Sequence, residues 1–181
     1  MKIAVIGPQN TGKSTFIQDF LKYFKSYSTP NETYRDLVKK QGLNINQMTS
    51  VESQKLIRNF LFAQLRSNEI KNIIFDRCLI DNYVYTYVQY EAGLIPKSFV
   101  DETYNRMIDS LDYADMYVLI PASLSVGLVN DTLRDIDTKY IDKVNHHFLR
   151  ILFELSRDRH INVKIISGSR DDRMEQIKKI V

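Results

Sequence analysis

The stretch Lys2-Ile-Ala-Val-Ile6 runs directly into Gly7-Pro-Gln-Asn-Thr-Gly12-Lys13-Ser14, and these residues decide the fold. Apolar residues follow Lys2 without a break, which is typical of a strand buried on both faces. The next eight residues have the pattern G-x-x-x-x-G-K-S, in which glycines permit a tight turn and successive backbone N–H groups converge on an anion. A helical pattern of apolar residues then runs from Phe16 to Phe24. Strand, loop and helix in this order predict a phosphate-binding loop.

The chemistry of this loop predicts a nucleoside triphosphate with its metal ion. The amino group of Lys13 can reach the β- and γ-phosphate oxygens, and the hydroxyl of Ser14 can ligate Mg²⁺. Thr15 is well placed for the α-phosphate, and the following helix directs its positive end at the anion. We therefore expect ATP and Mg²⁺ at this loop. The residues predicted to bind ATP here are Gly7, Asn10, Thr11, Gly12, Lys13, Ser14 and Thr15.

The rest of the chain alternates short β-branched runs with longer amphipathic stretches. Further strands are expected at 73–75, 116–120 and 163–166, with a fifth short strand near Ser26–Thr29, and a largely buried helix from Val51 to Leu65. Strands separated by helices indicate a parallel sheet with right-handed crossovers. The pattern predicts an α/β fold: a P-loop three-layer sandwich with a five-stranded parallel sheet, forming one domain over residues 1–181.

A second motif follows the strand at 73–75, where Asp76 and Arg77 end the apolar run. In open α/β sheets, ligands bind beyond the carboxyl ends of the strands. Asp76 is therefore expected beside the phosphate loop, where it can hold Mg²⁺ or accept a proton from an attacking hydroxyl. Arg77 can clamp a phosphate or orient the acceptor.

Composition excludes several other classes of protein. The 181 residues contain a single cysteine, Cys78, which rules out an internal disulfide and a cysteine-based zinc site. A formal net charge of +3 does not by itself argue for nucleic-acid binding. No apolar run approaches the roughly 20 residues of a membrane helix, and the N-terminal run is too short for a signal peptide. A cytoplasmic protein without membrane attachment is expected.

These residues resemble P-loop nucleoside and nucleotide kinases, and more narrowly the AAA-type branch that contains nicotinamide-riboside kinase domains. Asp76-Arg77 resembles the DR motif of these kinases, and Glu32-Thr-Tyr-Arg35 resembles their acid-and-arginine segment facing the acceptor. Asn130-Asp-Thr-Leu-Arg134-Asp resembles the lid. Gly168-Ser-Arg170-Asp-Asp-Arg173 resembles the turn that contacts adenine.

The resemblance implies an ATP-dependent kinase acting on a nucleoside or a nucleoside monophosphate. Its implied catalytic residues are Lys13, Asp76, Glu32 and Arg134, with either Asp76 or Glu32 as the base. Mg²⁺ is implied on Ser14 and Asp76. The implied acceptor-binding residues are Glu32, Arg35, Asp76 and Arg77, and Gly168, Arg170 and Arg134 are implied at ATP.

The lid has independent support in the sequence. Residues 123–139 lack helical periodicity and carry Arg134 among aspartates. A loop of that length inside a compact domain is usually functional. Kinases must exclude water from the reacting phosphate, so a closing segment with an arginine is expected there.

Two other functions and several details stay open at this stage. The acceptor can be a polynucleotide or a modified base within DNA, or the chain can be an ATPase switch without a phosphoryl acceptor. The apolar helix faces can fill a core or a homodimer interface. Tyr85 points away from its neighbouring tyrosines and either stacks on an acceptor base or is exposed, whereas packing is expected for Cys78.

Overall fold

A computed structural model describes residues 1–43, 49–67, 69–122 and 137–181. Within these ranges, strands and α-helices alternate along the chain as the sequence pattern predicts. In chain order they are β1 Lys2–Ile6, α1 Lys13–Tyr23, α2 Tyr34–Gln41, α3 Val51–Arg66, β2 Ile73–Asp76, α4 Leu79–Glu91, α5 Lys97–Ile108, β3 Met116–Leu119, α6 Thr138–Arg159, β4 Val163–Ile165 and α7 Arg170–Lys178.

The strands form one parallel sheet in the order β2-β1-β3-β4. The first strand is central, since Ile3 is in register with Ile74 on one side and with Met116 on the other. All carboxyl ends therefore lie along the same edge of the sheet. The phosphate loop follows β1 at this edge, and Asp76 ends the neighbouring strand.

The predicted fifth strand is reduced to a single bridge. Ser28 pairs with Ile73 in parallel fashion, donating its N–H to the carbonyl of Asn72 at 3.1 Å and accepting from Ile74 at 2.9 Å. Pro30 follows two residues later, has no N–H to donate and fixes its own backbone angle, which prevents a longer ladder. The sheet in the described ranges therefore has four strands instead of five.

Alternate side chains of the strands pack on opposite faces of the sheet. Ile3 and Val5 join α1 and α7 in one apolar cluster. Ala4 and Ile6 join the helices α2 to α6 in a second, larger cluster. The predicted three-layer α/β sandwich is confirmed, and β4 is an edge strand on which Ile165 is 58% exposed.

The structure tests the predicted buried helix and a small part of the predicted lid. The buried helix expected from Val51 to Leu65 is α3, and its N-cap Ser50 accepts a hydrogen bond from the N–H of Ser53. Most of the segment predicted as a lid, residues 123–136 with Arg134, lies outside the described ranges. Its last two residues belong to the first turn of α6 instead, because the Asp137 carboxylate caps that helix. In the described part of the chain, no helix has both the length and the apolarity needed to cross a membrane.

Candidate active site

The phosphate loop needs glycine at two positions. A side chain at either one would meet neighbouring atoms, and the backbone angle φ is positive at both. Gly7 has a φ of +136°, and a Cβ there would lie 2.3 Å from the carbonyl oxygen of Ile120, the residue that follows β3. Gly12 has a φ of +81° and precedes the first residue of α1. A Cβ on Gly12 would lie 3.0 Å from Nη1 of Arg173. Any larger residue at either position would displace backbone or a buried guanidinium.

Lys13 is the first residue of α1 and is buried at the loop. Its Nζ donates to the carbonyl oxygen of Pro8 and, at 3.3 Å, to Oγ1 of Thr11. Burial lowers the pKa of Lys13 well below its ordinary value, and the nearby Arg77 guanidinium lowers it further. A phosphate bound at the loop would raise this pKa again, because an adjacent anion favours the charged ammonium.

Ser14 and Asp76 meet at the carboxyl edge of the sheet, as the sequence predicts. The Ser14 hydroxyl lies 3.3 Å from Oδ2 of Asp76, and Oδ1 of Asp76 is buried without a hydrogen-bond partner in the described ranges. Hydroxyl and carboxylate oxygens are the ligands that Mg²⁺ takes in phosphate-transfer sites. The two side chains, with one carboxylate oxygen uncommitted, fit a magnesium ion.

Arg77 turns the chain from β2 into α4 with a left-handed backbone, φ +79°. Its N–H donates to the carbonyl of Val5 at 3.0 Å, which holds this conformation in place. The guanidinium is 6% exposed and lies between the rings of Tyr34 and Tyr85, 4.9 and 5.1 Å from their centroids. Its Nη1 donates to Oδ1 of Asp81 at 2.8 Å.

Asp81 is a buried carboxylate with partners on both sides of the site. Besides Arg77, it accepts from the N–H of Gly7 at 3.3 Å and from the N–H of Cys78 at 3.1 Å. Burial raises the pKa of Asp81, and the Arg77 guanidinium opposes this rise. This carboxylate ties the start of the phosphate loop to Arg77 and to the first turn of α4.

A pocket beside Arg77 is lined by residues of α2, α3 and α4. It contains about 400 Å³ of space continuous with solvent. Its lining combines rings, apolar side chains and polar groups. The lining residues are Tyr34, Gln54, Ile57, Leu61, Arg77, Asp81, Asn82 and Tyr85.

Polar side chains in the pocket wall are buried and oriented by hydrogen bonds. Asn82 donates through Nδ2 to Oε1 of Gln54 at 2.7 Å, whereas its own Oδ1 is buried and has no hydrogen-bond partner in the described ranges. The Tyr85 hydroxyl donates to Oε1 of Gln9 at 2.7 Å and accepts from the Gln9 N–H at 3.0 Å. Tyr85 is 9% exposed, so of the two alternatives left open by the sequence, the exposed ring is excluded. Its ring instead joins the phosphate loop to the pocket.

The predicted acceptor residues Arg35 and Glu32 lie in different surroundings. Arg35 donates from Nε to the Tyr34 hydroxyl at 3.3 Å and is close enough to Asp76 and Arg77 for their charges to act on its pKa. Glu32 is outside the pocket lining, and its carboxylate pairs with Lys40 at the surface. The structure therefore brings Arg35, but not the Glu32 carboxylate, to the group formed by Asp76 and Arg77.

The turn after β4 approaches the phosphate loop through a residue that had no predicted role of its own. Gly168, with φ +93°, accepts from Nε of Arg173 at 3.0 Å, and Nη1 of the same guanidinium donates to the carbonyl of Thr11 at 2.7 Å. Arg170, predicted at ATP, forms a two-pronged ion pair with Asp19 on α1. The loop residues Asn10, with φ +61°, and Thr15, which is exposed, complete the predicted set.

Several residues of the site had no predicted role. Gln54 is a buried amide on the helix predicted to be largely buried, Asn82 is a buried amide on α4, and Tyr34 lies next to the predicted Arg35. The signal that could have found them is a polar side chain on a helix that is apolar on more than one side, because such a group needs a partner or a ligand.

Strand β1, its loop and helix α1, together with a polar pocket at the carboxyl edge of a parallel sheet, define a P-loop protein with the fold of nucleoside and nucleotide kinases. The chain belongs to the AAA domain family, which matches residues 2–173. The resemblance expected from the sequence is confirmed at this level.

Known proteins similar to this chain agree with that class. A probable thymidylate kinase of Picrophilus torridus is 27% identical over 150 residues, covering 78% of this chain and 72% of the relative. Deoxyadenosine kinase from M. mycoides, with products dCMP and a flexible dCDP bound, superposes with a TM-score of 0.72 at 20% identity, covering 99% of this chain and 97% of that one.

Two further solved structures share the fold. NadR protein in complex with NR has a TM-score of 0.73 at 15% identity, and the match covers 99% of this chain and 50% of NadR. Thymidylate kinase from Candida albicans has a TM-score of 0.66 at 18% identity, with coverage of 99% and 89%. At such identities the likeness establishes the fold alone.

Proposed function

We propose that the protein is an ATP-dependent kinase that transfers the γ-phosphoryl group to a nucleoside or a nucleoside monophosphate. One observation carries this proposal: the Asp81 carboxylate joins Gly7 of the phosphate loop to Arg77 in the pocket wall. A donor site and a pocket for a second molecule are therefore built as one unit. The relatives named as thymidylate and deoxyadenosine kinases support the same assignment.

The phosphate loop is the proposed donor site. Its backbone N–H groups and the end of α1 would surround the β- and γ-phosphates, and Lys13 would neutralise the migrating group. Gly168 and Arg170 are proposed to lie at the adenine end. Arg134, which is outside the described ranges, is proposed to close over the phosphates. Because phosphoryl transfer needs positioning and charge stabilisation more than covalent chemistry, these contacts account for most of the rate.

Ser14 and Asp76 are the residues proposed to hold Mg²⁺, directly or through water. The ion, when bound, neutralises charge on the donor phosphates. Asp76 has an uncommitted oxygen beside the pocket residue Arg77, and Glu32 is engaged with Lys40 at the surface. We therefore propose Asp76 over Glu32 as the base, with the ion then held by Ser14 and, through water, by Asp76.

In the proposed step an acceptor oxygen bonds to the γ-phosphorus while the bond to the β,γ-bridging oxygen breaks. With a monophosphate acceptor this oxygen is an ionised phosphate oxygen and no proton has to leave, whereas with a nucleoside it is a hydroxyl oxygen. The hydroxyl proton passes to Asp76, and ADP leaves with the electron pair of the broken bond.

The pocket beside Arg77 is the proposed acceptor site. Its lining combines apolar side chains with a few oriented polar groups, as small-molecule sites do. Tyr34, Ile57 and Leu61 give a nucleobase an apolar wall, and Asn82 offers a buried oxygen that lacks a donor in the described ranges. Arg77, with Arg35, would orient the acceptor and pair with a 5′-phosphate if the acceptor carries one. The expected acceptor is a nucleoside or nucleotide whose nucleobase donates a hydrogen bond to Oδ1 of Asn82.

The test is γ-phosphate transfer from labelled ATP with Mg²⁺. The acceptor panel contains ribo- and deoxynucleosides, their monophosphates, nicotinamide riboside, and DNA with plain or hydroxymethylated bases. We expect label on one of the small molecules and a loss of about 10³-fold in Lys13→Ala, because charge stabilisation of this kind is worth about 10³–10⁵ in rate. Lys22→Ala, which removes an exposed lysine from the same helix, is the matched control and retains transfer.

The alternatives give different outcomes in the same assay. Label on DNA alone would favour a polynucleotide or modified-base kinase, and its DNA binding would then weaken strongly with salt. Release of free phosphate without a labelled acceptor would favour an ATPase switch. Undiminished transfer by Lys13→Ala would remove the proposal.

A further inference from the structure

Arg173, on α7, is a buried cation that contacts the phosphate loop from behind. The side chain is 6% exposed, and it donates from Nε to the carbonyl of Gly168 and from Nη1 to the carbonyl of Thr11. Its third nitrogen, Nη2, is buried and has no hydrogen-bond partner within the described residues. Two hydrogen bonds to neutral oxygens therefore leave part of the guanidinium unsatisfied.

The guanidinium also lacks an anionic partner within the part of the chain that the structure describes. Burial lowers the pKa of Arg173, with no carboxylate acting in the opposite direction. Two other arginines of the site differ, because Arg77 pairs with Asp81 and Arg170 pairs with Asp19. An arginine remains charged at neutral pH, and a buried charge without a counter-ion costs free energy. A site that keeps such a charge gains from binding an anion.

The position of the Arg173 guanidinium indicates which anion would balance its charge. Its Nη1 lies behind the Thr11–Gly12 peptide, on which Thr11 supplies the carbonyl and Gly12 supplies the N–H. In this type of loop the backbone N–H groups face the phosphates. A charged donor on the carbonyl polarises the peptide and makes its N–H a stronger donor, since hydrogen bonds in a chain reinforce one another.

We propose that Arg173 is a positioning residue for the donor phosphates, acting through the Thr11–Gly12 peptide, and that the phosphate charge is the counter-ion missing from the protein. This rests on the proposed function, because it needs a nucleotide on the phosphate loop. The resemblance implied only an adenine contact for residues 168–173, and the proposed role of Arg173 at the phosphates is additional to that contact. One guanidinium contacts both the Gly168 turn and the phosphate loop. A nucleotide bound at the loop would therefore interact with both segments through Arg173.

The experiment measures the affinities of AMP, ADP and ATP, with Mg²⁺, for the whole chain by calorimetry. The variants are Arg173→Gln, which removes the charge, and Arg173→Lys, which keeps it. Lys178→Gln is the matched control, because it removes an exposed positive charge from the same helix without touching the loop. Melting temperatures are recorded for each protein.

We expect Arg173→Gln to weaken ADP and ATP binding about tenfold to fiftyfold and AMP binding less than threefold. Arg173→Lys should lose about fivefold or less for ATP, and Lys178→Gln should match the wild type. In transfer assays Arg173→Gln should raise the KM for ATP and leave the KM of the acceptor unchanged. A role in folding alone would lower the melting temperature without this dependence on phosphate number.

Equal weakening of all three nucleotides, or unchanged ADP and ATP affinities, would overturn the inference. If Arg173→Gln does not fold, Arg173→Lys decides: an equal loss for AMP and ATP contradicts the inference, and a loss confined to ADP and ATP supports it. A wild-type protein that binds none of the nucleotides would contradict the proposed function itself. Wild-type binding with an unaltered Arg173→Gln would contradict only the role of Arg173.

Discussion

The phosphate loop and the pocket beside it are built in different ways. The loop is one continuous segment in which backbone groups and two glycines do most of the work. The pocket is assembled from side chains on α2, α3 and α4, which are brought together only by the fold. A site made of backbone tolerates few substitutions and is visible as a motif, whereas a site made of side chains can change its ligand through single substitutions.

The two regions also treat buried charge differently. In the pocket, Arg77 has the Asp81 carboxylate at 2.8 Å and two aromatic rings against its faces. In the loop, Lys13 donates to neutral oxygens. Asp81 and Asp76 act on the charge of Lys13 without a direct ion pair in the described ranges, so a bound phosphate would add a close anion on this side. On the pocket side, the close ion pair is already formed by Arg77 and Asp81.

The largest effect is expected where the two regions meet, at Asp76. Asp76→Asn removes the proposed base and a proposed magnesium ligand, so kcat should fall by about 10²–10⁴-fold. Steady-state transfer measures the loss, and Asp112→Asn, an exposed carboxylate, is the control that retains activity. A change of less than fivefold in Asp76→Asn would mean that this carboxylate is not part of the chemistry.

Asp81 should matter to both regions and to stability. Asp81→Asn leaves the Arg77 guanidinium buried without its carboxylate, which costs about 3–5 kcal/mol in the free energy of unfolding. Denaturant unfolding measures this cost. The double variant Arg77→Met with Asp81→Leu should recover part of this stability without recovering acceptor binding, since the buried charge is gone but the N–H groups of Gly7 and Cys78 lose their acceptor. Wild-type stability in Asp81→Asn would show that the ion pair is dispensable.

The next smaller effect is expected in the pH dependence of ATP binding, which should depend on Lys13 in the phosphate loop. Because the pKa of Lys13 is lowered in the free protein and phosphate raises it, ATP binding should take up a proton in the pH window between these two values. Donor affinity should therefore fall as pH rises through the free-state pKa, by up to about tenfold per unit for one proton. Calorimetry in buffers of different ionisation enthalpy measures the uptake.

The matched variant for this titration is Lys13→Arg, which stays charged at every accessible pH. It should show no proton uptake in the window where the wild type does. Uptake that persists in Lys13→Arg would assign the titration to another group.

Tyr85→Phe should give the smallest effect, because the ring remains and only its link to the loop is lost. Without the hydroxyl, Gln9 loses both hydrogen bonds to Tyr85, and we expect a loss of about 1 kcal/mol in stability. Burial raises the pKa of Tyr85 to about 12, so the hydroxyl is protonated throughout the neutral range and the loss should not vary there. Tyr104→Phe, on a more exposed ring, serves as the comparison in denaturant unfolding, and equal changes in both variants would contradict the link.

The same contrast explains what the sequence could predict. The loop, the parallel strands and the pairing of Ser14 with Asp76 follow from local patterns, because each depends on neighbours in the chain or on the shared edge of the sheet. The prediction of a fifth strand was wrong, because Pro30 prevents the backbone from extending the ladder beyond the single bridge at Ser28. The sequence could mark Gln54 and Asn82 as polar groups on apolar helices, but their partners, like those of Arg173, depend on contacts between segments far apart in sequence.

The measurement that tests the account most directly is a grid of initial rates over ATP and acceptor concentrations for the wild type and Asn82→Ala. Asn105→Ala, which removes an exposed amide from α5, is the control. If the pocket binds the acceptor, Asn82→Ala raises the acceptor KM about tenfold, as expected for a lost hydrogen bond of about 1.4 kcal/mol, and leaves the KM for ATP within twofold. A raised KM for ATP with an unchanged acceptor KM would contradict the assignment of donor and acceptor to these two regions.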